Sequence, residues 1–158
     1  MLLAYSAITL HIMGLKIFLI GLIIPSGNIM IQVVEIIALA SLCSSEKMNV
    51  LDRFIKGTYS SHKAVSSALK HAEELGFNKE GIESLEKARL WYSKYSHPTM
   101  LTLSAHFPFE APEQGLYLGA CFDEAKRDEY SKELIGRVGL AEHFSNFVDG
   151  IRLNLRRW

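Results

Sequence analysis

Charge is missing from the front of this chain, and cysteine is scarce throughout. Only Cys43 and Cys121 occur. Each sits in apolar company ("ALASLC", "LGACF"), and neither has the spacing of a zinc site or a disulfide framework. Both read as buried, reduced thiols, among the commonest interior residues. Neither sign of charge is in excess: seventeen Lys and Arg face seventeen Asp and Glu. That removes the broad basic surface by which nucleic-acid binders recognise a polyanion, so any such contact must be local. Glycine-rich phosphate loops, nucleophile elbows and His-x-x-x-His pairs are all lacking, although six histidines are present. No cofactor and no metal are therefore expected. There is no repeat, low-complexity tract or linker, which predicts a single domain over 1–158. With 49 % hydrophobic residues the chain can bury a sizeable core and is not a disordered segment.

Residues 1–43 carry only Lys16 and Glu35 as charged side chains. The run 1–24 is long enough to span a bilayer, but Lys16 inside it would cost on the order of 3 kcal/mol there. "PSGN" at 25–28 reads as a chain break. The second run, 29–43, is short for a span and contains Gln32 and Glu35. A signal peptide fits poorly, because no basic segment precedes the apolar run. An apolar helical pair in a cytoplasmic bundle core is the first reading. A membrane-associated pair is the second.

From residue 44 to 97 the texture is amphipathic, with apolar positions at helical spacing and clear stops. Ser44-Ser45 opens a helix that Gly57 ends, with Met48, Leu51, Phe54 and Ile55 as its stripe. Ser60-Ser61 opens another ending at Gly76, on Ala64, Val65, Ala68, Leu69, Ala72 and Leu75. Asn78 caps a third whose buried face is Ile82, Leu85, Ala88, Trp91, Tyr92 and Tyr95. Over 98–122, "TLSAHFPF" and "GLYLGACF" flank a turn-rich "EAPEQ". This predicts a small β-hairpin, with a short helix over 99–106 as the alternative. Asp123 opens the C-terminal helices, 123–158, where Gly136 and Gly139 mark a kink or split. Leu134, Val138, Ala141, Phe144, Phe147, Val148 and Ile151 form their stripe. The fold class is mostly α: a helical bundle of about five to seven helices with a late hairpin. The apolar surplus in the first 43 residues predicts a homodimer that buries part of it.

The chemistry-bearing stretch is "EKARLWYSKYSHPT", 86–99. Arg89 and Ser96 share a helix face, and Pro98 forces His97 off the helical path. His97 then suits either a structural hydrogen bond at the helix end or a poised acid/base. Glu35, in an apolar helix, needs a counter-charge, and Arg89 is the expected one. The terminal Arg152, Arg156 and Arg157 read as helix-end cations, or else as an RNA- or lipid-facing tail.

Arg89 followed at short range by His97, near the end of an amphipathic helix, resembles the motif of the HEPN superfamily of bacterial helical-bundle proteins. "YSKYSHPT" and "PSGNIMIQVVEIIALASLC" also resemble uncharacterised bacterial families with a His-Pro helix end. The likeness spans about 20–105. It implies an intracellular protein of stress or phage defence, with RNA or a protein as partner. In the nucleases of that superfamily the Arg and His bracket an RNA phosphate without metal. Carried over, Arg89 would hold the phosphate and His97 would act as base, supported by Glu35, Tyr92 and Ser96. This chain departs from the motif in three ways: residues 90–96 make a longer gap, Leu90 follows the arginine, and Pro98 follows the histidine. A non-catalytic interaction or scaffold domain is the reading these departures favour. A metal-independent endoribonuclease and a small membrane-anchored protein are the alternatives.

Overall fold

A computed structural model describes residues 1–106, 115 and 122–158. Among these residues the regular structure is entirely helical, so the mostly-α bundle stands. Helix α1 (Leu2–Leu19) and helix α2 (Ile23–Cys43) form the apolar pair. The break between them falls at Gly21, whose φ of +84° suits glycine, and not at "PSGN". Pro25 sits in the first turn of α2, where its missing N–H removes no helical hydrogen bond. Ser26 Oγ donates to the Gly14 carbonyl at 2.7 Å and pins the two helices together. Both helices are long and apolar enough to cross a membrane by length and composition. Half of α2's most apolar stretch is nonetheless buried inside the molecule.

Helix α2 is the axis of the bundle. Its buried residues run from Ser26 to Cys43, and the amphipathic helices pack around it. After a 3₁₀ turn, α3 (Val50–Ile55) ends before Gly57 at φ +69°. Little of α3's expected stripe is buried: Val50 goes inward, while Ile55 is 73 % exposed. Helices α4 (Ala64–Lys70) and α5 (Ala72–Leu75) form one broken helix. It buries Ala64, Val65, Ala68, Ala72 and Leu75, and Gly76 in the left-handed region ends it. Asn78 caps α6 (Lys79–Tyr92) as expected, accepting from the Glu80 and Gly81 amides. On α6 and the 3₁₀ turn Ser93–Tyr95, Ile82, Leu85, Tyr92 and Tyr95 are buried, and Trp91 stays at the rim.

The expected hairpin is not found where its first strand is described. Met100–Ser104 forms helix α7, the alternative foreseen for 99–106. A reciprocal capping box between Thr99 and Thr102 supplies the nucleus, and local capping overrides an alternating apolar pattern. Residues 107–114 and 116–121 of that segment, Cys121 among them, lie outside the described residues. Cys43 is buried, and burial pushes its thiol up to about 11.

Helix α8 (Arg127–Glu142) is not split at Gly136 or Gly139, and α9 (Phe144–Leu155) follows after His143. The two lie antiparallel along α1: Tyr130 meets Phe18, Arg137 approaches Gly14, and Phe144 meets His11. The inward face of α8 is rotated from the expected stripe. Val138 is 47 % exposed and Ala141 is exposed, while Arg137 is buried. On α9, Asn154 Nδ2 donates to Ser44 Oγ and to the Leu75 carbonyl, and Trp158 Nε1 donates to the Ser44 carbonyl. These bonds tie the C-terminal end to the base of α2.

Candidate functional site

The residues singled out by the motif divide into three places. Arg89, on the last turns of α6, grips Glu86 one turn back: Nε donates to Oε2 at 2.7 Å and Nη2 to Oε1 at 2.8 Å. This paired geometry is the strong form of an ion pair. Hydrogen bonding to Arg89 lowers the Glu86 carboxyl pKa, and the bond to Glu86 raises that of Arg89. Glu35 contributes only at longer range. Its close contact is His62 Nδ1, at 3.5 Å, so the expected Glu35–Arg89 pair is replaced by two others. Arg89 reaches a carboxylate on its own helix at i−3, which needs no placement of α2.

His97 lies beyond the helix end with its side chain exposed. The joint is held by backbone: the His97 carbonyl accepts from Thr102 Oγ1 at 3.2 Å. The structural tie expected of the imidazole is thus made by the main chain. Ser96 Oγ donates to Asn28 Oδ1 on α2 at 2.9 Å. Among the described residues no hydrogen bond or ion pair joins Arg89 to His97.

Tyr92 belongs to a third place, which sequence reasoning missed. Its hydroxyl donates to Glu133 Oε1 at 2.8 Å. Arg137 Nε and Nη2 each lie 2.8 Å from the same oxygen, and Trp91 Nε1 reaches Oε2 at 3.4 Å. The Arg137 guanidinium stacks 4.6 Å from the Phe18 ring centroid, a favourable cation–π position. Among the described residues its Nη1 is buried without a hydrogen bond, and so are both ring nitrogens of His11. Burial lowers the pKa of His11, and the nearby Arg137 charge adds to the effect. Burial raises the phenols of Tyr92 and Tyr95, with the Glu133 charge reinforcing it. The sequence signal that could have found this cluster is the Glu133–Arg137 spacing, which puts the pair on one helix face.

Beside this cluster an open cleft of about 560 Å³ is bordered by Phe18, Ile20, Ile23, Phe122, Tyr130 and Leu134. Arg127 stands at its edge but is paired with Glu124 at 3.0 Å. Among the described residues no three His, Cys, Asp or Glu side chains converge into a metal-ligand set. Chemically, the Glu133–Arg137–Tyr92 group is a satisfied carboxylate in an aromatic wall. It offers neither a nucleophile nor a base open to solvent.

No family model, curated protein or solved structure matches the chain.

Proposed function

We propose that the chain is a cytoplasmic HEPN-like helical domain that acts by protein interaction and does not cut RNA. The observation that carries this reading is the engagement of Arg89. A phosphate-binding arginine must present its donor fork, and here that fork is held by Glu86 at 2.7 and 2.8 Å with Arg89 only 16 % exposed. A phosphate entering there would have to displace a carboxylate and would meet its negative charge.

The endoribonuclease reading rests on a different observation. The His97 side chain is exposed at a stiff joint, which suits a base reaching a ribose hydroxyl. One assay separates the two readings. Purified protein, its Arg89→Ala and His97→Ala variants and a panel of single-stranded and hairpin RNAs are incubated with EDTA. The expected outcome is intact RNA throughout, with the His97→Ala melting temperature within about 1 °C of the parent, since an exposed side chain contributes little. Cleavage by the parent that falls about 10²–10⁴-fold in His97→Ala, with the fold retained, would establish the nuclease instead.

A further inference from the structure

Helix α1 carries two seams. Ala4, Ala7, His11, Gly14 and Phe18 are buried and alternate at spacings of three and four residues. They pack into the bundle. Leu2, Tyr5, Thr9, Ile12, Lys16 and Leu19 follow the same alternation on nearly the opposite side, at 100° per residue. Among the described residues little covers this second seam: Leu2 is 83 % exposed, Tyr5 70 % and Leu19 65 %, Thr9 is half-buried, and Met13 and Ile20 are exposed along its flank. A three–four alternation is the mark of a helix that packs knobs into another helix. These side chains together present on the order of several hundred Å² of apolar surface, approaching the roughly 800 Å² each partner gives to a standard interface.

The outer seam is also self-complementary. About the midpoint between Leu10 and His11, Leu2 mirrors Leu19, Tyr5 mirrors Lys16, and Thr9 mirrors Ile12. A two-fold interface requires this mirroring, because each residue must meet its mirror mate on the partner. Run antiparallel, the helices set Lys16 against the Tyr5 ring of the other copy, where a cation is attracted. The two ammonium groups then stand about 16 Å apart along the axis, at 1.5 Å per residue. Run parallel, the two Lys16 charges would face each other.

We propose that the outer face of α1 is the contact between two copies of this chain, packed antiparallel about a two-fold near Leu10–His11. The proposal deepens the interaction reading and rests on it.

The test uses the full chain. Light scattering at micromolar concentration should give twice the 17.8 kDa protomer mass. Ile12→Glu and Leu19→Glu should give the protomer mass with unchanged circular dichroism, because both residues are exposed in the protomer. Lys16→Glu should raise the dissociation constant at least about tenfold by turning a carboxylate onto a ring face, while Lys16→Met keeps the dimer. Mixing Leu2→Cys with Leu19→Cys protein under mild oxidation should yield a crosslink above that of either variant alone. A parent of protomer mass overturns the proposal, as does a Leu2→Cys variant that crosslinks best to itself. So does a parent that pellets with phosphatidylcholine vesicles and stays monomeric, since a bilayer then occupies the face. RNA cleavage by a dimeric parent would overturn the non-catalytic reading alone. A monomer that leaves RNA intact would overturn the dimer alone.

Discussion

Arg137 is 1 % exposed, and its charge is answered by Glu133. Removing that carboxylate would leave a cation in the interior with several donors unsatisfied. Glu133→Ala should therefore cost about 3–5 kcal/mol, and Glu133→Gln less, because an amide oxygen still accepts from Tyr92 and Arg137. Arg137→Met should cost less than Glu133→Ala, since Glu133 would keep its two aromatic donors. Urea denaturation of the three variants decides it, and three equal losses would sink the argument. His11 makes a second prediction. In the folded chain its imidazole faces Arg137 from α8 and the Phe144 ring from α9, and its pKa lies below the ordinary 6.5. The unfolded chain therefore takes up a proton first as pH falls. Stability should drop as pH goes below about 6.5, by at most about 1.4 kcal/mol per pH unit, and level off below the folded pKa. His11→Met removes the titration, so its stability should decline less than the parent's between pH 7.5 and 5. Parallel curves would show that His11 does not titrate between the two states. At this scale Glu35 and Arg89 were legible as groups needing partners, but not the partners themselves. Periodicity marks a face of a helix, and the neighbour opposite that face is set by packing.

Elements were more legible where a local cap or a glycine decides. Asn78, Gly57 and Gly76 begin or end helices as their chemistry dictates. "PSGN" misled because proline and glycine break a helix only in context. Pro25 falls in the first turn, and Gly27 is a packing residue. A Cβ on Gly27 would lie within 2.7 Å of Cδ1 and Cδ2 of the Tyr95 ring, so α2 and the turn after α6 touch only because that side chain is absent. Gly27→Ala should destabilise by about 1–3 kcal/mol through overpacking. Among the described residues nothing lies within 4 Å of a Cβ on Gly136 or Gly139 in α8, and alanine at either should stabilise by about 0.5–1 kcal/mol. Thermal melts giving the same sign at all three positions would refute this contrast. The hairpin expectation met a Thr99–Thr102 capping box, which a pattern of alternating apolar residues does not reveal.

At the scale of the whole molecule, the mostly-α class was written in the 3.6-residue period and the near-absence of strand signals outside 102–122. The chain by itself also determined that its first 43 residues carry an apolar surplus, that helices end at Gly57 and Gly76, and that no overall charge draws it to a polyanion. Only the tertiary structure decided that α2 is the buried axis and α1 the half-covered flank, since two helices of equal hydropathy cannot be ranked by composition. It turned Arg137 inward and Val138 outward, and the inward guanidinium has its charge answered by Glu133 and its face stacked on Phe18. It also separated Tyr92 from Arg89 and His97. Helical spacing relates residues within one element, whereas a site is assembled between elements. That assembly depends on which faces meet when the apolar surface of the whole chain is buried at once.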